Sequence, residues 1–255
     1  MLQTRMLMGM PITVEIVDPA ASQADFGAVF DYFHVVDARF STYKDDSEIT
    51  FINKGMIQLA QASVDMQTIF ALAEQTKQQT DGYFEIVRNG FIDPSGIVKG
   101  WAIYNAAELL RQRGFTNFYV EAGGDIQAFG HNAHGQRWQV GIRNPFNPLE
   151  IVKVIAIAEG GVATSGTYVR GQHIYNPKAS SSGMDEPITD IVSLTVIGPN
   201  IYDADRFATA AFAMGRTGIE FIEAVDGLEG YLIDSAGQAT LTSGFERYVS
   251  HVQTH

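Results

Sequence analysis

The stretch "NFYVEAGGDIQAFG", residues 117–130, decides between two kinds of mixed fold. It is strand-like around a Gly-Gly-Asp turn. Two glycines allow a tight turn or a close approach of backbone to a ligand. The spacing is not G-x-G-x-x-G, and no helical pattern follows, so a dinucleotide-binding Rossmann unit is unsupported. A plain β-hairpin turn and a ligand-contacting turn remain open readings.

Outward from that turn, the chain mixes helices with hairpin-spaced strands. "ITVEIV" (12–17) alternates and is β-branched, as a strand does. Residues from about 22 to 40 carry a helical apolar pattern through Phe26, Val29, Phe30, Phe33 and Val36. A second helix is expected over 63–82, capped by Ser63 or Asp65 with Gly82 beyond its end, and a third from about 96 to 113, stopped by Gly114. "RWQVGIRNP", "EIVKVIAIAEGGVATSG", "IVSLTVIGP" and "GYLIDS" read as further strands. A helix is expected at 203–215 and a short one near 217–225. The regular strand–helix alternation of a doubly wound sheet is missing. The expected fold is α+β, a single compact domain over 1–255 with a mainly antiparallel sheet and packed helices.

Composition narrows the function classes. The 255 residues are 45% hydrophobic and 18% charged, enough for a full core. The net charge of −12 has the wrong sign for phosphate-backbone binding, so nucleic acid is not an expected partner. There are no cysteines, which excludes disulfides and thiolate metal sites. The N-terminal "MLQTRMLMGMPITVEIV" lacks the apolar region and small-residue cleavage site of a signal peptide. No apolar run reaches the roughly 18 residues of a membrane span. A cytoplasmic location is expected, or a periplasmic or membrane-anchored one if a leader has been removed.

Four segments carry residues suited to chemistry. In "FIDPSGIVKGWAIYNAAELL" (91–110), Asp93 leads through Pro94-Ser95-Gly96 into a helix with Lys99 and Gly100. Free N–H groups at a helix start, with a lysine, suit a phosphate; a capped helix with a solvated lysine is the plainer reading. "EAGGDIQAFG" (121–130) adds Asp125. "GGVATSGTYVRGQHIYNPKASSS" (160–182) gathers Thr164, Ser165, Thr167, Tyr168, Arg170 and His173, where His173 is either structural or a general acid or base. No G-x-S-x-G elbow supports serine hydrolysis. In "DADRFATAAFAMG" (203–215), Asp205 and Thr209 are spaced i, i+4 and share one helix face. They are a helix cap and a back-bonded threonine, or two oxygen ligands for a hard cation such as Mg²⁺.

These segments occur together and in order with "MGMPITVEIV", "FSTYKDDSEITFIN" (40–53), "TDGYFEI" (80–86), "WQVGIRNP" and "SLTVIGP". As a series over about 8–215 they resemble the FAD:protein FMN transferases, the ApbE family, once called thiamine-biosynthesis lipoproteins. The resemblance implies a single α+β domain that binds FAD and Mg²⁺ and moves FMN from FAD to a threonine or serine of a target flavoprotein, releasing AMP. Some members mainly hydrolyse FAD to FMN and AMP, and a flavin binder without turnover is a third reading. Matching positions imply Mg²⁺ on the Asp205 and Thr209 side chains and on the Gly96 and Ala208 carbonyls. They imply FAD contacts from Met8, Tyr43, Tyr83, Phe84, Glu85, Asp93, Lys99 and Tyr175. His173 matches the histidine placed at the reaction centre, with Asp93 as an alternative proton acceptor. The chain departs from the family pattern at Asn176 (usually Asp), at Ala179-Ser180 (usually Thr-Gly), at Glu85 (usually Asp) and at Pro94 (usually Leu).

Overall fold

A computed structural model describes residues 1–167, 174–178 and 187–250. The opening stretch forms a hairpin. Strands β5 (Phe118–Ala122) and β6 (Asp125–Phe129) pair antiparallel, with Ala122 opposite Asp125. That leaves Gly123 and Gly124 as a two-residue loop with φ of +61° and +98°. Positive φ at both central positions is the type I′ geometry that follows strand twist, and glycine adopts it without a Cβ penalty.

The hairpin is the middle of an eight-stranded sheet. Before it in sequence come β1 (Leu2–Leu7), β2 (Met10–Ile16), and the short strands β3 (Val87–Arg88) and β4 (Phe91–Ile92). After it come β7 (Trp138–Asn144), β8 (Asn147–Ile157), β9 (Gly160–Gly166), β10 (Ile191–Gly198), β11 (Glu229–Asp234) and β12 (Ala239–Leu241). The main sheet runs β1-β2-β5-β6-β9-β10-β11-β12, antiparallel at every pair. Strands β7 and β8 pair with each other as a separate ribbon. The α+β expectation holds, and the separate pairing of 138–144 with 147–157 is the feature that local pattern does not reveal.

The helices are α1 (Gln23–Phe40), α2 (Glu48–Asn53), α3 (Val64–Gln79), α4 (Ser95–Gln112), α5 (Ile201–Ala213) and α6 (Gly218–Glu223). Ser63 caps α3 by accepting from the Met66 N–H, as its position predicts. Helix α5 begins earlier than expected. Its cap is Asn200, which accepts from the Asp203 N–H at 2.8 Å. Asp205 therefore lies inside the helix and is not its cap.

Alternation in the strands sorts the side chains into two cores. On one face Ile12, Val14, Ile16, Phe118 and Val120 pack against Phe26, Phe30 and Phe33 of α1, Ile103 and Ala106 of α4 and Phe212 of α5. On the other face the β7–β8 ribbon brings Trp138, Ile142, Ile155 and Ile157 against Val162, Ile197, Tyr231 and Phe245. The sheet is thus covered by helices on one side and in part by a ribbon on the other. No helix among the described residues is long and apolar enough to cross a membrane.

Candidate functional site

Helices α4 and α5 cross at a glycine. A Cβ on Gly100 would lie 2.6 Å from the Asp205 Cβ and 2.9 Å from the Ile201 carbonyl oxygen, so only glycine permits this approach. The contact has a polar purpose as well. The Gly100 N–H donates to Asp205 Oδ2 at 2.7 Å. The usual helical partner of that N–H is the Gly96 carbonyl four residues back, so the carboxylate competes with that carbonyl for the donor. Thr209, one turn along α5, places its Oγ1 3.5 Å from that same Gly96 oxygen.

Lys99 completes the cluster. Its Nζ lies 2.5 Å from Asp125 Oδ2 and 3.4 Å from Asp205 Oδ1. Both carboxylates are buried, and Lys99 is 19% exposed. Asp125, the first residue after the Gly-Gly turn, is fixed on its other side by the Thr164 N–H at 3.0 Å. Burial pushes the Asp205 carboxyl up, to about 6; the Lys99 charge pulls against that rise and the Asp125 charge adds to it. Two acids and one base in a buried cluster leave an excess negative charge facing the adjoining space.

That space is a cavity of about 600 Å³, within the range of small-molecule sites. Gly96, Lys99, Asp125, Thr164, Asp205 and Thr209 line its inner end. Tyr83, Phe84, Glu85 and Tyr175 also line it, with Asp93 and Ser95 at the start of α4, and the Phe84 ring reaches the Gly96–Thr209 corner, 3.4 Å from where a Gly96 Cβ would lie. Aromatic faces there are held by cations: the Arg88 guanidinium sits 3.6 Å over the Tyr175 ring and Lys178 sits 4.4 Å over Tyr83. Lys178 also pairs with Asp81, and Lys77 with Glu85 at 2.5 Å.

Most of the residues singled out from sequence meet in this cavity: Tyr83, Phe84, Glu85, Asp93, Gly96, Lys99, Tyr175, Asp205 and Thr209 all line it. Ala208 is buried within α5 behind them. Met8 and Tyr43 also stand apart from the lining. Met8 occupies the β1–β2 turn with φ +52° and packs against the main core, and the Tyr43 side chain is 98% exposed. His173, Tyr168, Arg170 and the departures at Ala179 and Ser180 lie outside the described residues. Asp93 faces the cavity but is already engaged: its Oδ1 accepts from the Ser95 N–H at 3.0 Å. The start of α4 therefore offers fewer free N–H groups than its sequence suggested. Asn176 likewise takes a local role, accepting from the Lys178 N–H at 2.9 Å.

Asp125 is the participant that sequence spacing left without a role. Its signal was present, since an acid at the first position of a strand buried along its whole length requires a partner. The partner, Lys99, lies on a helix that precedes it in the chain, and the pairing exists only once α4 packs on the sheet.

The donor set fits a small hard cation. A carboxylate, a hydroxyl and a main-chain carbonyl present oxygens to one wall, which is the chemistry of Mg²⁺ sites completed by waters and phosphates. No group of three or more His, Asp or Glu side chains arranged to hold a metal occurs among the described residues, so such an ion would depend on ligand oxygens from its substrate.

The sequence pattern of the ApbE family matches residues 8–90 and 87–232. An FAD:protein FMN transferase of Klebsiella pneumoniae (strain 342) is 28% identical over 218 residues, which is 81% of this chain and 58% of that protein. The chain thus spans little more than half the length of this curated relative. Among solved structures, the ApbE protein of Thermotoga maritima superposes with a TM-score of 0.84 at 20% identity, covering 98% of this chain and 99% of that one. The flavin transferase ApbE of Vibrio cholerae superposes with a TM-score of 0.81 at 22% identity, covering 97% and 98%. At these identities the structural likeness speaks for the fold.

Proposed function

The chain belongs to the ApbE family, and from that premise we propose that it transfers FMN from FAD to a serine or threonine hydroxyl of a target flavoprotein, with AMP as the second product. The observation that carries the reading is the inner wall of the cavity. There Lys99, two buried carboxylates and the Thr209 and Gly96 oxygens stand together, in one cavity with aromatic side chains suited to a flat ring system. The family likeness from residue 8 to residue 232 also supports reading 1–255 as one domain.

In this reading the acceptor oxygen bonds to the phosphorus on the FMN side of the diphosphate. The bond from that phosphorus to the bridging oxygen breaks, and AMP departs with the bridging oxygen. Magnesium would be held by Asp205, Thr209 and the Gly96 and Ala208 carbonyls, and when bound it would offset negative charge on the diphosphate and the departing AMP. Lys99 adds a fixed ammonium at the same end of the cavity. Asp125 and Thr164 hold that ammonium in place from the sheet side. Gly100 keeps Asp205 oriented through its N–H at Oδ2, with the Lys99 ammonium 3.4 Å from Oδ1. Tyr83, Phe84 and Tyr175 would bound the flat rings. The acceptor proton passes to His173 or to Asp93, as the family resemblance implies.

The test is incubation with FAD, Mg²⁺ and a flavin-acceptor domain carrying an Asp-x-x-(Ser/Thr)-Gly-Ala-Thr-like sequence, following protein mass and AMP. A mass gain of one FMN with one AMP supports transfer. AMP with free FMN indicates hydrolysis instead. Bound FAD without AMP overturns both enzymatic readings. Asp205→Ala is expected to abolish turnover, and full activity in that variant overturns the cation assignment.

A further inference from the structure

A second cavity opens on the far side of the Gly123–Gly124 turn. It measures about 560 Å³, and Glu15, Tyr119, Glu121, Trp138 and Gln139 are among its lining residues. Gly124 and Gly141 line both cavities. Gly124 adjoins Asp125, which holds Lys99, so the second cavity reaches the first at the end carrying the charged cluster.

The groove is built from secondary structure. Its floor is the sheet face opposite the helices, where Glu15 and Tyr119 are register partners across β2 and β5. Tyr119 meets Trp138 edge-to-face at 5.1 Å. One wall is residues 138–141 of β7. Among the described residues β7 pairs with β8 alone, so its second edge carries backbone groups that complete no ladder. Asn132, Ala133, His134 and Gln136, in the loop leading into β7, also line it.

We propose that this groove receives the extended segment of the acceptor protein that carries the nucleophilic hydroxyl, and leads it to the diphosphate beside Lys99. The inference rests on the transferase reading. Three features select a polypeptide. The groove shares Gly124 and Gly141 with the cavity read as holding FAD, next to the place where Asp125 meets Lys99, so a chain lying in it ends beside the charged cluster. Its volume of about 560 Å³ has room for the side chains of a short extended segment. A free strand edge binds an extended chain through main-chain hydrogen bonds, with side-chain pockets alternating along it.

Charge specifies the segment further. Glu121 is turned toward the turn itself, accepting from the Gly124 N–H at 2.6 Å. Glu15 leaves its carboxylate on the floor. The Tyr119 hydroxyl stays protonated, its pKa raised to about 12 by burial and by the Glu15 and Glu121 charges. Such a floor accepts hydrogen-bond donors, main-chain N–H groups included, so the part of the segment lying over Glu15 presents a donor and the acid of the acceptor sequence lies off this floor.

Gln139 is exposed and Glu15 half-exposed, and neither lines the first cavity, which makes them suitable positions for a test. With the flavin-acceptor domain above as probe, Gln139→Trp and Glu15→Lys are each expected to raise the KM for acceptor tenfold or more. The Kd for FAD is expected to stay within twofold of wild type. In wild-type protein, adding the acceptor domain is expected to slow amide hydrogen exchange across 134–141. An unchanged acceptor KM in both folded variants overturns the inference, as does acceptor-induced protection confined to other surfaces. Protection at 134–141 that follows protein concentration in the absence of acceptor assigns the face to a second copy of this chain and also overturns it. If the wild-type protein itself forms no FMN–acceptor adduct, the transferase reading fails first and this inference with it; transfer by wild type that neither substitution alters defeats the groove alone.

Discussion

Lys99 shows how a single residue can be decided by its surroundings. On a solvated helix it would be one exposed cation among many. Here it stands between two buried carboxylates, and removing one member of such a set strands the others. Lys99→Met is expected to destabilise the protein by about 3 kcal/mol, the low end for breaking a buried pair because the lysine keeps some exposure. Without the ammonium, a divalent cation has more charge to offset. Adding Mg²⁺ to EDTA-treated protein is therefore expected to raise the melting temperature of Lys99→Met more than that of wild type; an equal rise in both would remove the cation from this wall. Asp18 offers a pH-dependent counterpart. Partial burial raises its pKa, but bonds from Asn117 and Thr116 outweigh that, and the net value lies below the usual carboxylate range. A depressed folded pKa gives stability that is present above the unfolded value near 4 and is lost as pH falls through the folded value. Asp18→Asn is expected to lower the urea midpoint at pH 7, with the gap from wild type closing below pH 4. A gap independent of pH would mean that the carboxylate charge contributes nothing.

At the scale of elements, the α4–α5 crossing controls the site. Gly100 lets the helices meet, Asp205 returns a hydrogen bond across the contact, and Asn200 with Gln127 fixes where α5 begins. Gly100→Ala places a methyl group 2.6 Å from the Asp205 Cβ, which the helices accommodate only by separating. The expected cost is about 1–3 kcal/mol, typical of overpacking, measured by urea unfolding. The same shift moves Asp205 from Gly96 and Thr209, so FAD turnover is expected to fall more than stability alone explains. Most of these elements are legible locally: the Ser63 cap, the stop near Gly114 and the Gly-Gly hairpin follow from residue chemistry within a few positions. The start of α5 is the instructive miss. The small apolar run from Phe207 to Met214 suggested a helix over 203–215, whereas the helix begins at Ile201 because Asn200 supplies the cap. Asp205 thereby moves from a capping position to a buried interior one, where it is available to the cavity.

At the scale of the molecule, one antiparallel sheet holds α4 and α5 on one face and the β7–β8 ribbon on the other, and the cavities open where their ends meet around the Gly123–Gly124 turn. A ligand that binds only the folded chain stabilises it by mass action. At about 100 times its Kd the gain is about 2.7 kcal/mol, which for a chain of this size raises the melting temperature by roughly 5–10 °C. FAD with Mg²⁺ is expected to produce such a rise, and FAD with EDTA a much smaller one; equal rises would show that the ligand binds without the cation. The sequence by itself determined the α+β class, the helices and strands set by short-range periodicity and capping, and the i, i+4 pairing of Asp205 with Thr209. Only the tertiary structure decided that Asp125 meets Lys99, that Gly100 is where two helices touch, that Met8 and Tyr43 stand outside the cavity lining, and that 138–157 forms a ribbon apart from the main sheet. The physical reason is range. Caps, turns and periodicity act over a few residues, whereas a buried charge finds its partner across the chain, through packing that no local pattern encodes.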